Sequence, residues 1–518
     1  MLGRICGGAA PAPIAGPHRL VMLPYMGNDH MAADTRRADA QRWFDYGLTL
    51  GRSFEHADAV LAFRKAETLD PGCSLCVWGE AWAGGGTINF PVGPEQTRAN
   101  LALAKRAQQL AGPATTPPMR RLEAALIDRY QGGDEGRGDK AWARDMDALH
   151  AADRGDVELA VFDAEAQLIR GREGDRSGAK KALAAVQPLV AAHPDHTGLV
   201  HFFIHASEEA GQAALAEPYV ARMAGLASGA SHMVHMPSHT YFRVGRYQDA
   251  ALANVAALKV DRAYAEKTGF PTPLGAMAYH FHDLQFGLGG ALMSGDGKVA
   301  MQLVRQFNTD FPNPAAYNPR DEGTAAQTYA ALGRFGRPDQ VLAAPDTVAS
   351  NPFLEGMRHY ARGLAQLRLD HAAAARAEAA QVSPAGNPGK VVTLVQLRIA
   401  RLTLQGDAEM TERRPQAAAA LFRQAAALQE ATFADSYDPP RWWFPVRRRL
   451  AAALLAQGDA KGGAREAQRV LTAWPHDPVS LQVLGKAQAA LHDPEAAAHL
   501  AEAHALWRGD RRELEAAG

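Results

Sequence analysis

Seven of the 19 histidines fall between His193 and His239, where an even spread would place about two. His201, His205 and Glu208 stand three to four residues apart, which puts them on one stripe of a helix. His232, His235 and His239 repeat that spacing, and Tyr279-His280-Phe281-His282-Asp283 offers a third contribution near the start of a later helix. Imidazole nitrogens suit zinc, copper, iron or nickel, and a single carboxylate such as Glu208 completes a mixed nitrogen and oxygen shell. No cysteine lies in this stretch, which argues against an iron–sulfur cluster or a thiolate zinc finger, while two histidines plus one carboxylate match a non-haem iron arrangement.

The expected ligands are His201, His205, His232, His235, His239 and His282, holding one or two ions of copper, iron or zinc. Glu208, Tyr279 and Asp438 are the candidate catalytic groups. The surrounding residues are apolar (Phe202, Phe203, Ile204, Met233, Val234, Met236, Tyr241 and Phe242), so imidazoles placed among them need an ion or a dense hydrogen-bond network. The alternative is a set of buried histidines that tie loops to backbone carbonyls.

The elements that carry these residues are expected to be helices. The chain has 518 residues, 47% hydrophobic and 21% charged, with an alanine- and leucine-rich texture that favours helix throughout. At that length one core does not suffice, so repeats are the first expectation. Trp43, Tyr46, Gly47 and Leu50, followed by Ala59, Phe63, Ala66 and Pro71, fit the tetratricopeptide pattern of two antiparallel helices. In it Gly47 and Ala59 admit close approach and Phe63 fills the gap. Ala-x3-Phe-x2-Ala returns at Ala418, Phe422 and Ala425, with looser versions at Ala250, Asn254 and Ala257 and at Ala496, Leu500 and Ala503.

Roughly a dozen helix pairs of ~34 residues would fill the chain. The fold class is therefore an all-α, tetratricopeptide-like α-solenoid over residues 36–518, with an irregular leader over 1–35 and a histidine-rich section over about 193–290. Such an array offers a concave groove for a peptide or for chemistry. Pro237 disfavours helix at Met236 and suits the first turn of a new helix. His239 then sits in that first turn, with His232 and His235 just before it.

Lys plus Arg (55) balances Asp plus Glu (56), so no overall field draws the protein to nucleic acid or to an anionic membrane. No apolar run approaches the ~20 residues that span a bilayer. The proline-broken stretch Ile5 to Gly16 makes a poor signal-peptide core, and the compartment stays open between cytoplasm and export. Three cysteines, Cys6, Cys73 and Cys76, exclude a disulfide framework. Cys73-Ser74-Leu75-Cys76 reads as helix-junction packing, or as a thiol pair that binds copper or oxidises reversibly.

Gly84-Gly85-Gly86 lacks the Lys-Ser/Thr of a phosphate loop and reads as a turn, with Asn89 close behind. Asp438 to Arg447, with Trp442 and Trp443, reads either as a rigid connection with buried aromatics or as a wall that stacks or ion-pairs a substrate, Asp438 being acid, base or ligand. Serine nucleophile elbows, zincin helices and dinucleotide fingerprints are absent from the sequence.

From about Ala40 to Trp507 the sequence resembles a bacterial group of tetratricopeptide-repeat proteins. The likeness rests on Phe44-Asp45-Tyr46-Gly47-Leu48, Asp70-Pro71-Gly72-Cys73, Trp78-Gly79 and Ile88-Asn89-Phe90-Pro91. It continues in His201 to Glu208 (His-x-x-Ile-His-Ala-x-Glu in the group), His232 to Tyr241 (His-x-x-His-Met-Pro-Ser-His-x-Tyr) and Asp438 to Arg447 (Glu-Pro-Pro-x-Trp-x-x-Pro-Val-Arg). Two positions depart from the pattern. Gln285 stands where the group has the second histidine of His-Asn-Leu-His-Phe, which alters the ligand count, and Asp438 replaces glutamate. The resemblance implies the fold and the site but names no reaction.

The functional expectation is a metal-binding protein that works as a redox or hydrolytic metalloenzyme on a small molecule or peptide in the groove. Its rivals are a non-catalytic scaffold that binds a protein or peptide partner through the repeat surface, and a metal carrier.

Overall fold

The computed structural model describes residues 19–132, 135–171, 176–383, 391–433 and 440–516. Their regular structure is helical, with no strand among the described residues, as the sequence composition predicts. Cys6 and the stretch Ile5 to Gly16 lie outside them, as does Asp438. The chain divides into two compact units, one of residues 3–240 and 256–280, the other of residues 241–255 and 281–518.

In the first unit, residues 19–37 form no helix. Helices α1 (Ala38–Arg52), α2 (His56–Leu69), α3 (Ser74–Ala83), α4 (Pro94–Leu110), α5 (Pro117–Gln131), α6 (Glu135–Ala152), α7 (Val157–Arg170), α8 (Arg176–Val190) and α9 (Thr197–Glu209) follow, each packed on the next in antiparallel succession. The tetratricopeptide packing logic holds at its first instance. A Cβ built on Gly47 would meet the Phe63 ring at 3.0 Å, and one on Gly79 would meet the same ring at 2.4 Å. Only a bare backbone lets α1 and α3 close on that phenyl group. Ala59, Phe63 and Ala66 are fully buried, and the Phe44 and Phe63 rings meet edge to face at 5.4 Å.

Three short helices complete the part that carries histidines: α10 (Glu217–Leu226), α11 (Ser231–His235) and α12 (Pro237–Arg243). The break falls where Pro237 demands it. Proline opens α12 as its first residue, where a missing N–H costs nothing.

The second unit repeats the pattern with its own core. Helices Val391–Thr411, Pro415–Phe433 and Arg447–Ala456 pack in succession around Ala418, Phe422, Leu450 and Ala453. A Cβ on Gly406 would lie 2.5 Å from the Phe422 ring, the same close approach that Gly47 makes to Phe63. In the described part of the connection before Arg447, residues 440–446, the aromatics lie inside. Trp442 and Trp443 stack at 4.1 Å and are buried, and the Gln429 amide donates to the Phe444 carbonyl (2.8 Å) and accepts from the Val446 N–H (2.7 Å). Its arginines are not all solvated as a plain connection would leave them, since Arg448 is 5% exposed and pairs with Asp477 at 2.8 Å.

Candidate metal centre

The two histidine stripes converge inside the first unit. One coordinating nitrogen from each of His201, His205 and His232 lies within 4.8 Å of the others, and all three residues are buried. The His201 and His205 rings, on α9, sit 4.9 Å apart, and His232, on α11, comes within 5.0 Å of His201. His239, on α12, reaches within 5.2 Å of His205, and its Nε2 is 2.9 Å from Nε2 of His235. Five imidazoles thus gather from three helices, carried by the spacings of three and four that the sequence displays.

Hydrogen bonds fix how these rings are turned. Nδ1 of His201 lies 2.7 Å from the Arg52 carbonyl oxygen, which only accepts, so Nδ1 carries the proton and Nε2 keeps its lone pair. That Nε2 faces Nε2 of His232 at 3.2 Å. Nδ1 of His239 lies 2.6 Å from Oε2 of Glu208, so there too the donor side is committed outward and Nε2 turns to His235. Two imidazole ligands at 2.0–2.1 Å from a common ion stand about 3–3.4 Å apart, and the 3.2 Å separation of the His201 and His232 nitrogens fits that spacing. A proton acceptor behind the far nitrogen is the usual means by which a ligating histidine is oriented and made more basic.

Burial pushes the His201 imidazole down to about 3, against the opposing hydrogen bond to the Arg52 backbone. The ring is therefore neutral, as a ligand must be. Arg52 is itself anchored. Its guanidinium pairs with Asp29 at 2.9 Å and with Glu158, and lies 4.8 Å over the Phe162 ring. Burial works to raise the Glu158 carboxyl, and Arg52 and His196 overcome it and hold it at about 2. Asp29 belongs to the non-helical segment before α1 and also accepts from Thr197 Oγ1 (2.8 Å) and the Gly198 N–H (3.2 Å) at the start of α9.

Not every histidine between His193 and His239 joins this group. His196 caps α9 by accepting from the Leu199 N–H and pairs with Glu158, and His193 is exposed, so the local excess of histidines overstates the cluster by two. His280 donates its Nδ1 side to Asp261 at 2.6 Å. His282 belongs to the second unit, where its ring meets Phe286 at 5.1 Å, and Gln285 is buried in the same unit.

Tyr279 is in the first unit. Its ring packs on His232 at 4.7 Å and its hydroxyl accepts from the Asn89 amide at 3.0 Å. Asn89 and Phe90 come from the turn after α3, whose triple glycine does lead into the site's surroundings. Cys73 and Cys76, read from sequence as packing or as a thiol pair, form a buried disulfide at the start of α3, because the N-terminal turn of that helix brings the two side chains together.

Sequence reasoning missed Phe54 and Arg52. Neither carries a spacing signal that links it to residues about 150 positions away.

No family model and no curated protein matches the sequence. Solved structures of helical-repeat proteins do resemble the fold. The human IFIT1 dimer with m7Gppp-AAAA is 13% identical over 91% of this chain and 91% of that one, at a TM-score of 0.30. The P58(IPK) TPR domain is 12% identical over 88% of this chain and 99% of that one, at 0.23. Yeast Tom70 is 12% identical over 90% and 93%, at 0.28. These likenesses concern the fold alone and carry nothing about ligands. The described residues form an all-α protein of helices packed in succession, and no helix among them is long and apolar enough to cross a membrane.

Proposed function

We propose that this chain is a metal-binding helical-repeat protein in which His201, His205 and His232 hold a transition-metal ion, with His235 and His239 extending the same centre. The observation that carries the reading is the paired locking of His201 and His239 through Nδ1, to the Arg52 carbonyl and to Glu208, which leaves both Nε2 lone pairs facing other imidazoles. Five buried imidazoles form a donor set for copper, iron or zinc. Glu208 is a positioning residue in this reading, since its carboxylate is engaged by His239.

The bound ion would supply Lewis acidity or a redox couple. The reading extends to a metalloenzyme acting on a small molecule or peptide, with Tyr279, held by Asn89 beside His232, as the group that hands a proton to the substrate. The helix-pair architecture equally supports binding a protein or peptide partner on the repeat surface. Such a scaffold, like a carrier that closes every coordination position, separates from the enzyme by experiment.

Elemental analysis of untagged, chelator-free protein is the deciding test. Near-stoichiometric copper, iron or zinc in the wild type, lost in both His205→Ala and His239→Ala, is the expected outcome. A wild type that neither carries nor takes up these ions refutes the metal centre, and partner affinity that survives His205→Ala favours the scaffold.

A further inference from the structure

Several turns between helices share one construction, and one of these departs from the rest. At the end of the leading helix a residue adopts a left-handed conformation, and the next N–H returns to the carbonyl five residues back, as in a Schellman cap. Gln212 to Ser207, Arg246 to Tyr241, Asp296 to Ala291 and Asp459 to Leu454 are such bonds, and the left-handed residues before them are Gly211, Gly245, Gly295 and Gly458 (φ 76°, 82°, 79° and 92°). Asp370, Arg413 and His492 fill the position elsewhere with exposed side chains at φ 60°, 58° and 60°. In the first turn the Glu55 N–H bonds to the Leu50 carbonyl, and the left-handed residue is Phe54, at φ 64° and 3% exposed.

A bulky aromatic group in this conformation is disfavoured, and it persists where the surrounding packing holds it. What surrounds Phe54 is the imidazole cluster. Its ring centroid is 4.6 Å from that of His232, 4.7 Å from His201 and 5.7 Å from His205, lying within 30° of parallel to His232 and 25° of His205, and it reaches Tyr279 at 5.6 Å. Two residues earlier, the same turn supplies the carbonyl that fixes His201.

We infer that Phe54 is the specificity-determining wall of the metal centre: its ring covers the face shared by His201, His205 and His232 and limits the size of the exogenous ligand or substrate that approaches the ion. The inference rests on the metal reading and deepens it. The first helix-pair turn has been diverted from a plain cap, which glycine would serve better, to present an apolar plate to three buried imidazoles. A phenyl plate offers no coordinating atom, so its effect falls on access and size rather than on holding the ion. Small ligands pass its edge, and larger ones are excluded until the ring is removed.

The test uses the full-length protein loaded with cobalt(II), whose visible spectrum reports both occupancy and ligand exchange. Wild type, Phe54→Gly and Phe54→Leu are titrated with azide and, separately, with the bulkier 4-phenylimidazole. Glycine accepts the backbone conformation without strain, and leucine retains apolar bulk if the glycine variant folds poorly. The expected result is unchanged cobalt stoichiometry in all three, with 4-phenylimidazole bound at least tenfold more tightly by Phe54→Gly, intermediate by Phe54→Leu, and azide affected far less. Equal 4-phenylimidazole affinity in all three overturns the wall while leaving the metal centre intact. Loss of cobalt from Phe54→Leu also overturns it, since the ring would then be holding the ligands. A wild type that takes up no cobalt overturns both readings.

Discussion

Two buried polar clusters, one in each unit, solve the same physical problem in opposite ways. In the second unit Arg448 is buried against Asp477 at 2.8 Å, and the remaining Asp477 oxygen accepts from the Ser480 N–H (3.0 Å) and hydroxyl (2.6 Å). The Arg448 guanidinium also lies 4.6 Å over the Phe444 ring. Each charge finds its opposite, and the cluster is complete as it stands. In the first unit the gathered groups are imidazoles, one of them held neutral by burial, with His201 and His232 and likewise His235 and His239 joined Nε2 to Nε2 and the Glu208 carboxylate engaged by His239. The Arg448–Asp477 cluster pairs opposite charges, whereas the imidazole cluster gathers nitrogen donors, and on that set the proposed metal centre rests.

The contrast is sharpest where a partner is removed. Arg448→Ala strands Asp477 in the interior and is expected to cost about 3–5 kcal/mol of stability, read as a lowered denaturant midpoint with metal content unchanged. A loss below 1 kcal/mol would break the claim that this cluster is structural.

Glu208→Gln keeps the shape and an acceptor for His239 Nδ1 but deletes the charge. It should weaken zinc binding about 10–100-fold, which corresponds to about 1.4–2.7 kcal/mol, with metal-free stability little altered. Isothermal titration measures the first effect and thermal melting the second. Equal zinc affinity would deny Glu208 its positioning role.

The smallest effect concerns the exclusion of charge near Phe54. Burial, then the neighbouring charges of Asp58 and Asp261, push the Glu55 carboxyl up to about 8. The folded state therefore keeps a proton that the unfolded chain gives up near the ordinary value of about 4.5. Stability attributable to this group is present below about 4.5 and is lost as pH rises towards 8. Glu55→Gln should remove that slope and leave the variant more stable than wild type at pH 8.5, with no gain at pH 4. Denaturation curves at the two pH values check it, and parallel pH profiles would count against it.

Much of this was legible in the sequence because it is periodic. Spacings of three and four placed His201 with His205 and His232 with His235 and His239, Pro237 marked the start of α12, and Gly47, Ala59 and Phe63 announced the helix pair. The same periodicity put Glu208 beside His205 as a ligand, yet its carboxylate reaches His239, on another helix. Spacing shows which side chains share a face and not what that face meets. Phe54 and the Arg52 carbonyl were silent for that reason, and so was the contact between Asn89 and Tyr279, although the sequence singles out both residues. They act on the centre through contacts that only tertiary packing creates, and a backbone carbonyl has no sequence signature at all.

The bond from His201 to the Arg52 carbonyl spans 149 residues, and that span sets a timetable. At synthesis rates of about 5–20 residues per second the acceptor leaves the ribosome about 7–30 s before the ring that needs it. His232 and His239 come later still. The cluster is therefore assembled as a sequence of arrivals: the turn with its phenyl ring first, the α9 stripe second and the imidazoles around Pro237 last. For that interval the Phe54 ring waits for the three imidazoles it packs against, with the neighbouring His56 ring stacked beside it in the finished fold.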